Sequence, residues 1–410
     1  MPAVVFGRRA DIDIGVALVG LQGAGVLDAD LFHAHDPRIV ALPVGTDLIA
    51  RLFHEWERRL VATTTDRVVR PFEWGLDWIP QAERSAVARP GHGAGDAGSP
   101  ADALRGWAAD ATAHSERFYA APRGRDFRFD GRRVRFPSAF RTPHPDNDTV
   151  HGRYFPASFR PGESRRAVVV LPHWNADPSS HVALAGLLAR FGISAVRLSL
   201  PYHDARMPPE LHRADYIVSA NLGRTVQVCR QAVLDTRRAV DWLESRGYER
   251  IGVLGTSLGS CLAMLAAAHD ARISAAALNH ISPYFADVVW EGLSTAHVRA
   301  GLEGSIDLET LRDAWLPISP APFLDRMRGT RTLLVYARYD LSFPVRLSRQ
   351  LVAGFRRRGL NPEVFVLPCG HYSTGVAPFN WLDGFVLIRF LRRALGPLGR
   401  GSRGDPQMCR

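Results

Sequence analysis

The sequence predicts an α/β fold in which a mostly parallel central sheet carries helices on both faces. Two observations predict it. From residue 167 onward, six short apolar runs alternate with longer amphipathic stretches. The runs are apolar at nearly every position, which is typical of parallel strands that helices cover on both sides. Ligands of such sheets bind at the carboxyl ends of the strands, so a functional site is expected there.

The chain before the sheet is predicted to form an N-terminal appendage, residues 1–110. Within it we expect a helix at residues 47–60 and a linker at residues 85–105, where Gly, Pro and Ala dominate. The sheet domain is predicted over residues 111–396. Residues 397–410 combine Gly with Arg, which indicates a disordered tail.

A β-hairpin is predicted at residues 127–136, where apolar and polar residues alternate around Asp130-Gly131. This pair favours a type I′ turn, which needs a positive φ at both of its central residues. A further extended segment is expected at residues 149–155.

The repeating part of the sequence predicts six strands and five helices. The strands are Ala167–Leu171, Ile193–Leu198, Ile251–Leu254, Ile273–Leu278, Thr332–Tyr336 and Val364–Leu367. The helices are Val182–Phe191, Leu222–Arg246, Leu258–Ala268, Val345–Arg358 and Trp381–Leu395. An insertion at residues 282–327 has helical periodicity and several aromatic residues. We interpret it as a helical cap over the site, although an ordinary packed helix pair explains the pattern equally well.

Charge and hydropathy exclude two classes of partner. The 410 residues carry a formal net charge of +10, but every basic residue is arginine and none is lysine. So complete a replacement indicates codon bias rather than a phosphate-binding surface, and no nucleic acid is expected as a partner. The apolar runs are shorter than the roughly 18 residues of a membrane span, so no span is predicted.

Cysteine usage and the N-terminal segment bear on metals and compartment. The four cysteines are scattered without C-x-x-C spacing, which predicts neither a zinc site nor a disulfide framework. Asp11 and Asp13 precede the apolar stretch at residues 14–27, where a signal peptide carries positive charge. We therefore expect a cytoplasmic protein without metal or cofactor, and we predict no particular oligomeric state.

One tight turn carries a candidate nucleophile. Gly255-Thr-Ser257-Leu-Gly259 follows an apolar strand and precedes a helix of small residues. This is the strand–turn–helix setting of a nucleophile elbow, in which the two glycines leave room for a sharp turn. An ordinary tight turn between strand and helix has the same composition, so the motif alone is weak.

Two later residues complete an ordered set. A serine nucleophile needs a base to take its proton and an acid to orient that base. Asp340 comes shortly after one predicted strand, and His371 comes shortly after the last one. Each alone would be an ordinary cap or loop residue. Together, in the order Ser257, Asp340, His371, they predict a catalytic triad.

Several segments at the predicted strand ends resemble a known superfamily. They are Leu171–Asp177, Leu200–Asp204, Gly255–Gly259, Tyr339-Asp340 and Gly370-His371. Over about residues 127–395 the chain resembles serine hydrolases of the α/β-hydrolase superfamily, and the resemblance implies the α/β-hydrolase fold. More narrowly, the segments are similar to bacterial abhydrolases and to the abhydrolase domain-containing protein 18 family, a resemblance that implies no particular substrate.

An oxyanion hole requires two backbone N–H groups. We predict one at Leu258 and the other at Trp174, with Asn175 as the alternative because tryptophan rarely adopts a positive φ. Trp174 is equally explained as a cover over the end of the sheet. Polar residues at strand ends are predicted to line the substrate pocket or to support it: His173, Asn175, Tyr202, His203, Asn279 and His280.

The sequence thus predicts a cofactor-independent serine hydrolase, most simply a carboxylesterase that acts on a small-molecule acyl substrate. The same triad serves thioesterases, peptidases, lactonases and acyltransferases, so these activities stay open. A non-catalytic binding protein on a hydrolase scaffold is an alternative of another class. The intact order of the three residues favours an enzyme.

Overall fold

The computed structural model describes residues 45–87, 99–120 and 122–396. The predicted tail at residues 397–410 and the apolar segment at residues 14–27 lie outside the described residues. Where the structure describes the chain, no helix has both the length and the apolar character needed to cross a membrane.

A nine-stranded sheet lies at the centre of the fold. Its strands are β1 (Arg128–Phe129), β2 (Arg133–Pro137), β3 (Thr149–Phe155), β4 (Arg166–Leu171), β5 (Ser194–Leu198), β6 (Arg250–Thr256), β7 (Ile273–Asn279), β8 (Arg331–Ala337) and β9 (Glu363–Leu367). Their spatial order is β1-β2-β3-β5-β4-β6-β7-β8-β9. The pairings from β1 to β5 are antiparallel, and those from β5 through β4 to β9 are parallel. The predicted mostly parallel sheet is therefore confirmed.

Helices connect the strands and cover the sheet. They are α1 (Gly45–Ala62), α2 (Gln81–Val87), α3 (Pro100–Ala113), α4 (Ser115–Phe118), α5 (Val182–Arg190), α6 (Leu222–Ser245), α7 (Leu258–Ala268), α8 (Phe285–Glu291), α9 (Ala296–Leu302), α10 (Leu308–Ala314), α11 (Val345–Arg357) and α12 (Phe379–Ala394). The five helices predicted after residue 167 correspond to α5, α6, α7, α11 and α12, and each agrees within one or two residues at either end.

The core lies on both faces of the sheet because side chains of a strand point alternately to opposite sides. In β4, Val169 and Leu171 belong to an apolar cluster shared with α6 and α7. Val168 and Val170 belong to a second cluster, shared with α5 and α12. This two-sided burial explains why the parallel strands are apolar at nearly every position.

The predicted hairpin forms, but its turn is of another kind. β1 and β2 pair with Phe129 opposite Val134. Within the turn only Gly131 has a positive φ, 93°. A type I′ turn needs two such residues, so that prediction is wrong. The Asp130 carboxylate holds the turn instead, because its Oδ1 accepts two backbone N–H groups further along it.

The described residues from 49 onward belong to one compact unit. The predicted boundary of the N-terminal appendage near residue 110 stays a prediction. Part of the predicted linker forms α3, which buries Leu104 and Trp107 in the apolar cluster that also contains β4. Residues 88–98 of that linker lie outside the described residues.

The insertion between β7 and β8 is helical, as predicted. It contains α8, α9 and α10, and α10 packs against α3 and α8. Phe285 and Trp315 of the insertion lie in the core, which is the behaviour of a packed helical layer. A function as a cap over the site stays a prediction.

Candidate active site

Ser257 lies at the sharp turn between β6 and α7. Its φ and ψ are 56° and −121°. Residues other than glycine avoid this region, so the surrounding structure must enforce it, and such strain is concentrated at functional sites. Part of that enforcement is the backbone of β7: the Ser257 N–H donates to Asn279 O at 2.8 Å.

Two glycines make this turn possible. A Cβ at Gly255 would lie 2.1 Å from Gly259 O. A Cβ at Gly259 would lie 2.3 Å from Leu171 O and 2.4 Å from Pro172 O. A side chain at either position would therefore collide with backbone. The second contact also means that the loop after β4 passes directly against the turn that bears Ser257.

Asp340 and His371 come together at the same edge of the sheet. Asp340 follows β8 and is buried. Its Oδ2 accepts a hydrogen bond from His371 Nδ1 at 3.0 Å. Its Oδ1 accepts the backbone N–H groups of Ser342 at 2.8 Å and Phe343 at 2.6 Å. The carboxylate is thus fixed by its own loop and in turn fixes the imidazole.

A second histidine shares the same carboxylate. His280 follows β7 and is 1% exposed. Its Nδ1 donates to Asp340 Oδ2 at 2.9 Å, and its ring centroid lies 4.5 Å from that of His371. The sequence predicts that His280 lines the substrate pocket or supports it. In the structure its contact with Asp340 makes it a support of that carboxylate.

The charges of this cluster shift its pKa values in opposite directions. Burial acts to raise the pKa of Asp340, but the His371 charge and the two imidazole hydrogen bonds outweigh it and hold that pKa well below its usual range. Burial acts to lower the pKa of His371, but the charge and hydrogen bond of Asp340 raise it above its usual value. Burial and the nearby His371 lower the pKa of His280. His371 is thus the more basic imidazole of the two.

A side chain of α7 links the turn that bears Ser257 to the loop that bears His280. Ser260 Oγ lies 2.6 Å from Ser257 O and 2.7 Å from His280 O, which joins the two loops. The His280 ring in turn packs on His371. Among the residues that the structure describes, Ser257 Oγ has no hydrogen-bond partner. Its contact with His371 Nε2 therefore stays a prediction.

The loop after β4 determines which N–H groups are free for an oxyanion. The positive φ of this loop falls on Asn175, at 58°, and not on Trp174. The Asn175 N–H donates to His203 Nε2 at 2.9 Å and is therefore occupied. The Trp174 indole donates to Ala214 O at 2.9 Å, and no such bond occupies the Trp174 backbone N–H among the described residues. Of the two loop residues considered, Trp174 is the better candidate donor.

The remaining predicted pocket residues lie close to these loops. His203 and Tyr202 are buried; His203 Nδ1 donates to Pro201 O at 2.9 Å, and Tyr202 bonds through its hydroxyl to His144. His203 also accepts the Asn175 N–H and so supports the loop that contains Asn175. The contact of Tyr202 and His203 with a substrate stays a prediction.

The last two predicted pocket residues are His173 and Asn279. His173 is half-buried, and burial together with the charge of His371 lowers its pKa to about 4. Asn279 is buried; its backbone O accepts the Ser257 N–H, and its Nδ2 donates to Asp383 Oδ2 at 2.8 Å. His173 is thus a neutral imidazole beside the site at neutral pH, and Asn279 braces the nucleophile turn.

One cluster has the composition of a metal site. The ligand atoms of His280, Asp340 and His371 all lie within 4.8 Å of one another. Both imidazoles, however, use Nδ1 to donate to one carboxylate oxygen, and a protonated Nδ1 has no lone pair for a cation. We therefore interpret the cluster as a hydrogen-bonded acid–base group.

Glu57 is not among the residues predicted from the sequence; it is buried on α1 and bonded to the loop that carries His371. The sequence does contain a feature that could have identified Glu57. Glu57 lies four residues after Phe53 and four before Val61, so it occupies the apolar stripe of an amphipathic helix. A lone carboxylate on such a stripe indicates a buried acceptor with dedicated donors.

Solved structures that resemble this chain include an esterase and two peptidases. Acetyl xylan esterase from Paenibacillus sp. R4 matches with a TM-score of 0.53 at 17% identity, covering 77% of this chain and 100% of the esterase. Acylaminoacyl peptidase from Pyrococcus horikoshii matches at 0.51 and 14% identity, covering 69% of this chain and 51% of the peptidase. A puromycin-hydrolyzing peptidase from Mycobacterium tuberculosis matches at 0.50 and 18% identity, covering 64% and 40%.

These likenesses show the fold, which is that of the α/β-hydrolases. The chain spans about half the length of the first of these peptidases and less of the second. No family model matches the chain, and no curated protein matches it. The narrower resemblance to the abhydrolase domain-containing protein 18 family stays a prediction.

Proposed function

We propose that this protein is a serine hydrolase that cleaves carboxylic esters through an acyl-enzyme intermediate. One observation supports the proposal above the others: a buried Asp340–His371 hydrogen bond lies at the same sheet edge as the strained turn that bears Ser257. The three residues come from loops after β6, β8 and β9, at the end of the sheet where ligands of parallel sheets bind. The hydrolase neighbours of the fold agree with this assignment.

In the proposed reaction, Ser257 Oγ attacks the acyl carbon while His371 Nε2 takes its proton. Asp340 holds the imidazole through Nδ1 and stabilises the imidazolium that forms. The backbone N–H groups of Leu258 and Trp174 stabilise the oxyanion. His371 then protonates the leaving alcohol. Water, activated by the same imidazole, releases the acid and restores Ser257.

The activity-based test is covalent labelling. Purified protein should react with a fluorophosphonate probe, and Ser257→Ala should not. Ser245→Ala is the matched control, because Ser245 lies exposed at the end of α6 and bonds only to Trp242 O of its own helix. Labelling that survives in Ser257→Ala would remove Ser257 from its role. Absence of any labelling of folded wild-type protein would favour the non-catalytic alternative.

A substrate panel separates ester hydrolysis from the other reactions of the same triad. p-Nitrophenyl esters, acyl-CoA thioesters and aminoacyl amides share the acyl carbon but differ in the leaving group. We expect the esters to have the highest kcat/KM. A preference for thioesters or amides of tenfold or more would reassign the reaction class, while leaving the roles of Ser257, Asp340 and His371 in place.

A further inference from the structure

A carboxylate from α1 is buried against the loop that carries His371. Glu57 is fully buried. Its Oε2 accepts the N–H of Tyr372 at 2.9 Å. Its Oε1 accepts the N–H of Ser373 at 2.9 Å and the hydroxyl of Ser373 at 2.7 Å. Three hydrogen bonds to a carboxylate, which are stronger than bonds between neutral groups, thus tie α1 to the two residues after His371.

The loop is shaped to admit this carboxylate. A Cβ at Gly370 would lie 2.3 Å from Glu57 Cδ, so a larger residue at this position would displace the carboxylate. The N–H of Gly370 also donates to Ser373 Oγ at 2.8 Å. Glu57 therefore fixes Ser373, and Ser373 fixes Gly370. The backbone on both sides of His371 belongs to one network that ends on α1.

The same helix contacts the loop that carries Asp340. Phe53, one turn before Glu57, stacks on Tyr339 with ring centroids 4.6 Å apart and planes 9° apart. Tyr339 directly precedes Asp340, and its N–H donates to Cys369 O at 2.9 Å. One helix thus contacts both loops whose side chains form the Asp340–His371 hydrogen bond.

We propose that Glu57 is a positioning residue of the candidate active site, which fixes the loop backbone so that the His371 imidazole faces both Asp340 and Ser257. Through Glu57, helix α1 supports the site, although α1 lies more than 300 residues before His371 in the chain. The activity readout of this inference rests on the proposed hydrolase function. A second readout, given below, does not.

The charge of Glu57 also affects the pKa of His371. Among the residues that the structure describes, the titratable groups near this imidazole are Tyr372 in the same loop, Asp340 after β8, His280 after β7, His173 after β4 and Glu57 on α1. Burial lowers the pKa of His371; the charge and hydrogen bond of Asp340, and then the charge of Glu57, raise it. Neutralising Glu57 therefore lowers this pKa, whereas a change that keeps the charge does not.

The kinetic test uses the full chain and three variants. Glu57→Gln removes the charge and leaves an amide N–H₂ group facing backbone donors, whereas Glu57→Asp keeps the charge but shortens the side chain. Glu55→Gln is the matched control, because Glu55 lies exposed on the same helix and pairs with the exposed Arg59. Hydrolysis of p-nitrophenyl acetate is measured across pH for each.

We expect kcat of Glu57→Gln to fall on the order of 10- to 100-fold, with KM little changed, because a misplaced base slows chemistry rather than binding. The acid limb of its pH profile should move to lower pH. Glu57→Asp should lose kcat with the limb in place, and Glu55→Gln should match wild type. Wild-type kcat and an unmoved limb in Glu57→Gln would overturn the inference.

The second readout is proton NMR of the His371 Nδ1–H, a downfield signal assigned by its loss in His371→Gln. In Glu57→Gln this signal should titrate at lower pH than in wild type, and in Glu55→Gln at the same pH. If fluorophosphonate does not label Ser257, the proposed function fails and this titration still decides the role of Glu57. An unchanged titration would contradict it.

Should Glu57→Gln fail to fold by circular dichroism, Ser373→Ala takes its place. That variant keeps the buried carboxylate and removes only the hydroxyl that links Glu57 to Gly370. We expect its kcat to fall about tenfold. A wild-type kcat for a folded Ser373→Ala would show that the network does not position His371.

Discussion

Asp340→Asn tests the centre of the candidate site because it changes one atom in a fully used carboxylate. Asp340 accepts two imidazole N–H groups on Oδ2 and two backbone N–H groups on Oδ1. Asparagine offers one acceptor oxygen and one N–H₂ group in their place. Whichever way the amide is turned, two buried donors face its N–H₂ group.

The cost follows from that count. If the amide N–H₂ faces the two backbone N–H groups, two buried donors lack an acceptor at about 1–3 kcal/mol each, which lowers the free energy of unfolding by roughly 2–6 kcal/mol. This is a large part of the roughly 5–15 kcal/mol that stabilises a typical domain. If the amide N–H₂ faces His371, the imidazole must accept at Nδ1 and carry its proton on Nε2. It then cannot take the proton of Ser257, and kcat should fall about 10⁴-fold.

The assay combines chemical denaturation with the rate of p-nitrophenyl acetate hydrolysis. Asp325→Asn is the matched control, because the Asp325 side chain is 59% exposed and pairs with Arg328 and Arg358 at the surface. The control should stay within about 0.5 kcal/mol of wild-type stability and keep its kcat. An Asp340→Asn protein with wild-type kcat and wild-type stability would refute the assignment of Asp340 as the acceptor of both imidazoles.

Two further predictions concern pH. The rate of ester hydrolysis should fall as pH decreases through the pKa of His371. Asp340 raises this pKa above its usual value because its charge and hydrogen bond outweigh burial. A rate that stays constant down to about pH 5 would contradict His371 as the base. Burial raises the pKa of Asp383 from 3.8 to about 7. Between these two pH values the folded state keeps a proton that the unfolded state loses. The free energy of unfolding should therefore decline as pH rises from about 4 to about 7. Asp383→Asn cannot titrate, so above pH 7 it should be more stable than wild type by roughly 2–4 kcal/mol and about equal to it at pH 4. Denaturation curves at both pH values check this, and an equal difference at both would contradict it.

Much of the fold is encoded locally and was therefore predictable. The parallel strands are apolar at nearly every position because helices cover both faces, and that property is visible in any short window. The turn between β1 and β2 was predicted less well. Asp130-Gly131 marks a turn, but the number of residues with positive φ depends on how Asp130 bonds to the following backbone. Such side-chain hydrogen bonds cannot be predicted from amino-acid composition.

The N-terminal region shows the limit of composition more clearly. Residues 85–105 are rich in Gly, Pro and Ala, yet Ser99 caps α3 within this stretch and Leu104 is buried. Alanine is also the best helix former, so the same residues that are typical of a linker can form a packed helix. What decides between the two outcomes is an apolar partner surface elsewhere in the chain.

The two histidines on Asp340 show why strand-end reasoning finds members of a site but not their functions. The pattern places His280 and His371 alike, each just past the end of a parallel strand, and the structure bonds both to one oxygen. The exposed fraction of the side chain distinguishes His280 from His371. The His280 side chain is 1% exposed and its Nε2 is buried without a partner, whereas the His371 side chain is 13% exposed. A general base must exchange its proton with a substrate and then with water, so the sealed imidazole is suited to hold the carboxylate and the accessible one to carry the proton.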